Sequence, residues 1–515
     1  MSGVPVPVPV PVAPRREEED ANNEGQRDTH ISMLQRLNPS NPLRVAVSNG
    51  PRSSAPPHRS SAPPPRQSAP RQVPAQQPPV TTLNSTKYTD KITLLLFGLH
   101  LVASIALAGF LVFKGIHGLI LSSSVKHYNT RMLKLFLPQA EAASLLSVVL
   151  AVIWQQAFRK WPRYMSYVSL WGSVAASLTA GSLVICFERA ATNGLGACLI
   201  VFAICNGLYA CWVNERVDFC GRVLEESLIP VPKFNDLNHP TYLMMTSALL
   251  FMSFWVFAII GALKFFWPPL VIIILVLSFA WTAEVMRNVV NQTISRVVSL
   301  YYLRGIESGT KYSFQRAISK NLGSACLGSL FVPAIEALKI FARCLNLLEG
   351  EDEFMFSCGE CCLNVMEAIF RYGNGWAFVQ IATYGKSFVQ ASLDTWQLFE
   401  LRKMVTLVDT DITSSVCFLT GICSGSICII VVAAWTQRVH PPYTASVSLL
   451  AGFIGYLMTR IAMALPQACV SCQYVWFAEN PDNGSFYRTL KDRLKLLEGD
   501  GGAFAPTPRI RRRMS

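Results

Sequence analysis

The segment NGWAFVQIATYGKSFVQASLDTWQLF, residues Asn374–Phe399, is apolar enough to span a membrane yet carries a series of polar side chains. Read as one continuous helix, it has a polar face formed by Trp376, Gln380, Thr383, Ser387, Gln390 and Asp394. Lipid offers no hydrogen-bond partners, so that face must point into protein or a wet cavity. The segment therefore predicts a polar, functional stripe within a membrane.

The composition of the whole chain supports a membrane protein. Only 15% of the 515 residues are charged and 51% are hydrophobic, whereas soluble domains are about 25% charged. The charge is missing from blocks roughly 20 residues long, the length of helix needed to cross the hydrocarbon core. We expect an all-α polytopic membrane protein that interacts with the lipid bilayer.

Ten apolar spans can be read from the chain. They cover residues 92–113, 139–158, 164–187, 195–213, 243–263, 269–290, 322–345, 376–398, 412–435 and 445–477. The predicted organisation is a disordered Pro- and Arg-rich cytoplasmic tail (1–88), a transmembrane transporter domain (89–478) and a basic cytoplasmic C-terminal tail (479–515). The first of these tails is rich in Pro, Ser and Arg and cannot bury a core.

The net charge of +13 lies largely in the tails and cytoplasmic loops that this topology defines. From His30 to Thr89 there are seven basic residues and no acidic ones. Basic segments that flank membrane spans indicate the cytoplasmic side, so cytoplasmic termini are predicted, although the first loop is also basic and disagrees. No nucleic-acid motif accompanies the charge, so no nucleic-acid partner is expected.

A second polar stripe lies in the sixth span, PLVIIILVLSFAWTAEVMRNVVNQTIS. Trp281, Glu284, Asn288, Asn291 and Ser295 share a helical face. A carboxylate at that depth needs a partner or a wet cavity. Two interpretations of Glu284 stay open: an ion pair with Arg287 or Lys386 that holds helices together, or an anionic wall for a cationic substrate.

No enzyme or cofactor signature accompanies these stripes. The chain has no Walker A run, no HExxH and no GxSxG. The cluster Cys358, Cys361 and Cys362 lacks a second ligand pair at zinc-site spacing, so packing or a loop disulfide is favoured over a metal. We expect no enzymatic activity, no metal and no cofactor.

Three ordered blocks of the chain resemble the choline transporter-like family in its plant and fungal form. The first begins at Trp281 and reads WTAEVMRNVVNQTISRVVSLYYLRG, and the second begins at Gly309 and reads GTKYSFQRAISKNLGSACLGSL. The second contains the family's GS–x–x–x–GSL element as Gly323, Ser324, Gly328, Ser329 and Leu330. The third ends at Phe388 with the skeleton Asn374, Trp376, Phe378, Ala382, Gly385 and Phe388.

The resemblance implies about ten transmembrane helices and facilitated movement of choline or a related small amine, in the plasma membrane or a Golgi-related membrane. The proposed substrate-binding residues are Trp281, Glu284, Asn288, Trp376, Gln380, Thr383 and Tyr384. In this hypothesis Trp281 and Tyr384 supply ring faces and Glu284 balances the charge. The amide and hydroxyl groups then orient the substrate's hydroxyl end.

Two other functions compete with the carrier. The chain could be a trafficking or lipid-homeostasis scaffold whose N-terminal tail recruits cytosolic partners, or it could be a channel. Deleting the tail separates the first from a carrier, because a carrier should still transport. Saturable uptake at low turnover would argue against the channel.

Overall fold

The computed structural model describes residues 88–121, 123–262, 267–304, 309–348, 369–481 and 488–499. In this part of the chain the regular structure is entirely helical, as predicted. The first eight α-helices are α1 Lys91–Leu121, α2 Ser123–Lys160, α3 Pro162–Ile185, α4 Ala190–Ser227, α5 His239–Ala262, α6 Pro268–Arg304, α7 Thr310–Ser319 and α8 Leu322–Leu348. The remaining seven are α9 Ala377–Tyr384, α10 Phe388–Leu401, α11 Val405–Thr410, α12 Thr413–Val439, α13 Thr444–Ala462, α14 Ala464–Glu479 and α15 Arg488–Gly499.

Eight helical stretches in the described residues are long and apolar enough to cross a membrane. They correspond to the first six predicted spans, to the ninth, and to the first half of the tenth. The seventh predicted span lies in α8, which contains Pro333, and there only Leu322–Ile335 qualifies as a shorter apolar helix. The polytopic all-α class is confirmed, and the count of about ten spans stays a prediction.

The prediction of a continuous helix over residues 376–398 is wrong. The chain leaves the helix at Gly385, whose φ of 71° is left-handed, and starts a new one at Phe388. The chain folds back on itself there: Phe378 of α9 packs on Phe388, and Asn374 and Phe370, which precede α9, contact Ser392 and Trp396 of α10. We call Ala377–Leu401 the helical hairpin. At 1.5 Å per residue its helices are about 12 and 21 Å long, so neither crosses the core.

The tenth predicted span is also divided, at Met463. The helix α13 ends at Ala462 and α14 begins at Ala464. Pro466 has no backbone N–H to donate to the carbonyl four residues earlier, which is that of Ala462. The break between α13 and α14 at this point therefore loses little hydrogen bonding.

The helix α6 is the central element of the bundle. It packs against α5, α8, α9, α13 and α14, and the residues from Val289 to Ser299 are all buried. Such burial on every face is expected for a helix surrounded by others rather than by lipid. The family block that begins at Trp281 therefore forms the centre of the fold.

Several sequence-based predictions concern residues outside those described. They are the tail to residue 87, the cluster of Cys358, Cys361 and Cys362, and the last sixteen residues. Within the predicted C-terminal tail, α15 packs against α4 and α11, and its Thr489 hydroxyl and backbone N–H donate to the Glu226 carboxylate.

The left-handed turn at Gly385 predicts a cost for any side chain at that position. The substitution Gly385→Ala should lower the free energy of unfolding by about 1–2 kcal/mol, because Cβ crowds the following carbonyl at positive φ. Gly385→Asn should cost less, because asparagine adopts this conformation more readily. Thermal unfolding of the purified protein in detergent measures both. Equal stability of Gly385→Ala and wild type would contradict the turn described here.

Candidate functional site

At the turn of the helical hairpin, neighbouring side chains donate to the last backbone carbonyls of α9, in addition to the bond that the Gly385 N–H makes to the Ile381 carbonyl. The Arg296 guanidinium of α6 donates to the Ala382 carbonyl at 2.8 Å, and the Asn321 amide donates to the Ile381 carbonyl at 3.2 Å. All four residues are buried. Because an unpaired carbonyl costs several kcal/mol away from water, these contacts make the turn tolerable in an apolar setting.

A buried carboxylate lies beside the first helix of the hairpin. Glu479, the last residue of α14, is 4% exposed. Its Oε1 accepts a hydrogen bond from Gln380 Nε2 at 2.9 Å and its Oε2 accepts one from the Tyr384 hydroxyl at 3.4 Å. Among the described residues no basic side chain forms an ion pair with it. Two of the predicted site residues, Gln380 and Tyr384, are thus brought together by an acid that the prediction did not include.

The ammonium of Lys386 is held at the turn by three kinds of group. Its Nζ lies 2.7 Å from Asp394 Oδ2 and 3.1 Å from Gln380 Oε1, and 5.2 Å from the centroid of the Tyr384 ring. Gln390 also donates to Asp394 Oδ1, at 2.6 Å. Lys386 is thus the ion-pair partner of Asp394, and Gln380 links Lys386 to Glu479.

The predicted site residues Trp376 and Thr383 have partners of their own in the bundle. The Trp376 ring packs edge-on against Tyr474, with centroids 5.1 Å apart, and against Phe399 at 5.9 Å. The predicted site residue Thr383 is buried and donates to the Val379 carbonyl of its own helix at 2.8 Å. The hydroxyl of Thr383 is therefore engaged by backbone in this conformation.

The predicted residues of the second stripe contact other helices. Trp281 packs against Phe97 and His100 of α1, with centroids 5.3 and 4.5 Å away, and its Nε1 donates to the Cys326 carbonyl at 3.4 Å. Asn288 donates to Ser329 Oγ of α8 at 2.8 Å. These two residues join α6 to its neighbours α1 and α8.

Glu284 is paired with arginine. Its Oε2 lies 2.6 Å from Arg287 Nε, and its Oε1 lies 3.7 Å from an Arg460 guanidinium nitrogen on α13. Arg287 also donates to Gln467 Oε1 at 3.0 Å. Of the two partners considered from sequence, Arg287 is the one found, whereas Lys386 pairs with Asp394. The contacts favour the interpretation of Glu284 as an ion pair that holds α6 and α13 together.

Among the described residues, the stripe on α6 contacts the hairpin near Arg296, at the C-terminal end of that stripe. On α6, Arg296 contacts the hairpin, whereas Glu284 lies twelve residues earlier, which is about 18 Å along the helix axis. The hairpin's polar group therefore gathers around Gln380, Lys386 and Glu479, away from the Glu284 pair. No contact between Glu284 and Gln380 is found among the described residues.

The most informative residue that the sequence-based prediction missed is Glu479. The predicted tail boundary fell at this residue, because an acid after the apolar run QYVWFA resembles the end of a span. The prediction did not allow for the burial of an ionisable residue that closely follows aromatic residues, as Glu479 follows Trp476 and Phe477. Arg460 was missed too, although a basic residue within a predicted span is itself a functional signal.

The class of protein follows from these observations. Among the described residues, eight helical stretches long and apolar enough to span a membrane, together with a broken helical hairpin that carries ionisable groups, define a multi-pass, transporter-like membrane protein. The family model described as plasma-membrane choline transporter matches residues 197–482, more than half of the chain. The chain belongs to this choline transporter-like family, and the match includes all three sequence blocks.

Relatives in fungi and an amoeba agree with this assignment. The chain is 24% identical over 448 residues to Protein PNS1 of Cryptococcus neoformans, covering 77% of this chain and 79% of the relative. It is 26% identical over 380 residues to Protein PNS1 of Yarrowia lipolytica, covering 64% and 63%. A CTL-like protein of Dictyostelium discoideum is 23% identical over 308 residues, covering 56% and 54%.

The arginine pairing predicts that Glu284 acts on stability. Glu284→Gln should lower the free energy of unfolding by about 3 kcal/mol, because it leaves two largely buried guanidinium groups without their carboxylate. The matched control is Glu225→Gln, whose partner Arg163 is half exposed, and it should cost less than about 1 kcal/mol. Thermal unfolding in detergent compares them. Equal stabilities of the two variants would show that the Glu284 pair is not structural.

Proposed function

We propose that this protein transports choline or a related small amine across a membrane by facilitated diffusion. The observation that carries the proposal is the buried Glu479 carboxylate, which lies against Gln380 and Tyr384 and has no ion-pair partner among the described residues. A monovalent cation that bound there would compensate the charge of this carboxylate. Plasma-membrane or Golgi-related location and cytoplasmic termini belong to the same proposal.

The groups around Lys386 support an ammonium-binding role. A carboxylate, an amide oxygen and a ring face already hold one ammonium at this turn. Choline carries a quaternary ammonium without N–H donors, for which ring faces and a nearby negative charge are the suitable partners. Trp376 and Tyr384 provide such rings, Glu479 provides the charge, and Gln380 and Thr383 are the candidates for contact with the substrate hydroxyl.

The broken hairpin provides a reason for movement as well as binding. Discontinuous helices in transporters expose polar groups at mid-membrane depth and let one part of the protein shift against another. We assign the amine's bound position to the hairpin. The remaining sequence candidates, Trp281, Glu284 and Asn288, lie elsewhere along α6.

The first test is uptake of radiolabelled choline into proteoliposomes. A cation gains about 2.3 kcal/mol per 100 mV, so an inside-negative potential of that size should favour accumulation roughly fifty-fold. We expect saturable uptake that increases with the imposed potential. Uptake no greater than that of protein-free vesicles would exclude the proposal for choline, and competition by other amines would then identify or exclude the wider class.

The second test addresses the site. Glu479→Gln removes the charge while keeping the shape, and we expect at least a tenfold loss of choline uptake per folded transporter. Tyr384→Phe keeps the ring and removes only the hydroxyl, so a loss of a few-fold is expected. Glu225→Gln, a half-exposed acid on α4, is the control for general loss of negative charge. Normal uptake by Glu479→Gln would place the amine site elsewhere.

Deleting residues 1–87 separates the carrier from the scaffold alternative. A carrier whose site lies at the hairpin should retain choline uptake within about twofold after reconstitution. A trafficking or lipid-homeostasis scaffold should lose its cytosolic partners and mislocalise their cargo. Wild-type uptake that disappears with the tail would argue against a site formed by the helices alone.

A further inference from the structure

The residues around the start of α1 contact the junction between α7 and α8. We call residues 88–93 the N-terminal clamp. The Thr89 N–H and hydroxyl donate to the Lys320 carbonyl at 3.1 and 3.2 Å, and the Thr93 hydroxyl donates to the Gly323 carbonyl at 2.9 Å. The clamp therefore lies over the junction between α7 and α8.

Asp90 connects this clamp to the start of α10. Its Oδ2 accepts a hydrogen bond from Ser324 Oγ of α8 at 2.5 Å and another from the Phe388 N–H at 2.8 Å. Phe388 is the first residue of α10, so its N–H has no partner within its own helix. A carboxylate at this position also interacts favourably with the positive end of the helix dipole.

The backbone of Asp90 indicates that this contact is specific. An aspartate before a helix ordinarily caps the N–H groups of that same helix from an extended backbone. The Asp90 carbonyl does accept the first bond of α1, from Leu94 N–H at 3.2 Å. Its φ is 45°, however, and its carboxylate bonds α8 and α10 instead. A left-handed non-glycine residue is sterically costly, so the contacts it makes must offset that cost.

The small residue opposite the clamp makes this approach possible. A Cβ added to Gly323 would overlap the backbone carbonyl oxygens of Thr89 and Asp90. These are backbone atoms that cannot rotate away. Gly323 and Ser324, the first pair of the family's GS–x–x–x–GSL element, thus serve the clamp directly: one permits contact and the other bonds Asp90.

We propose that Asp90 is a positioning residue for transport: its carboxylate holds the start of α10 in place and so keeps the hairpin turn aligned beside Glu479. The reason is the short chain between them. Lys386 lies two residues before Phe388, and Asp394, which binds Lys386, lies six residues after it on α10. A shift of the α10 start would move both partners of this pair relative to Gln380. The inference rests on the proposed amine transport.

Hydrogen exchange of the hairpin tests the clamp without any substrate. Asp90→Gly removes the carboxylate and relieves the positive φ, so loss of the contact is not confused with strain. We expect amide exchange in the peptide over residues 386–392 to become at least tenfold faster, with α12 and α13 unchanged. Asp90→Asn retains an oxygen that can accept from Phe388 and should stay within about threefold of wild type.

The matched control is Glu188→Gly. Glu188 is also an acid with positive φ just before a helix, and it is exposed and remote from the hairpin in sequence. It should leave the exchange of residues 386–392 unchanged. Wild-type exchange in Asp90→Gly would overturn the clamp, and so would faster exchange spread equally over all helices, because that pattern reports general destabilisation.

Transport kinetics test the positioning role itself. Per folded transporter, Asp90→Gly should raise the apparent KM for choline at least fivefold, and Asp90→Asn should restore it to within about twofold. A locally faster exchange together with an unchanged KM would overturn the positioning role. If wild-type protein does not transport choline, the proposed function fails, whereas the exchange measurement still decides whether Asp90 holds the hairpin.

Discussion

The structure depends on how backbone groups are satisfied where a helix is interrupted inside an apolar bundle. At the turn from Gly385 to Ser387 the helical hydrogen bonding is interrupted, although the Gly385 N–H still donates to the Ile381 carbonyl. Further partners come from different parts of the chain: Arg296 and Asn321 donate to the Ala382 and Ile381 carbonyls, and Asp90 accepts from the Phe388 N–H. Because lipid could satisfy none of these groups, the surrounding helices must be arranged around the turn.

The carboxylates of Glu284 and Glu479 differ in the groups that contact them. Glu284 has two arginines within reach and behaves as part of an ion-paired contact between helices. Glu479 is held by an amide and a phenol, which stabilise its position without cancelling its charge. A desolvated charge is costly unless it is compensated. Glu479, which lies beside a broken helix, is therefore a better candidate than Glu284 for contact with a cationic substrate.

Much of the architecture was predictable from local patterns. Long apolar runs located eight stretches able to span a membrane among the described residues, and the bounds of the first, second, third and fifth agree with the predicted spans to within about four residues. Burial in lipid requires an uninterrupted apolar length, which a local pattern can reveal. The helical hairpin was not predictable in the same way, because Gly385–Ser387 interrupts a run whose hydrophobicity and period both resemble a single helix. One left-handed glycine reverses the chain, and a helical period drawn through it assigns the following residues to the wrong face.

The sequence by itself determined the class of this protein: its membrane character, the apolar spans, the family blocks and the presence of ionisable residues among them. These follow from composition and from residue order, which act locally. Only the tertiary structure decided which charges meet. Whether Lys386 pairs with Glu284 or Asp394, and whether Glu479 ends a helix in water or lies buried against Gln380, depends on contacts between residues up to about a hundred positions apart. The polar stripe at Asn374–Phe399 is thus a turn around which partners gather, rather than one face of a helix.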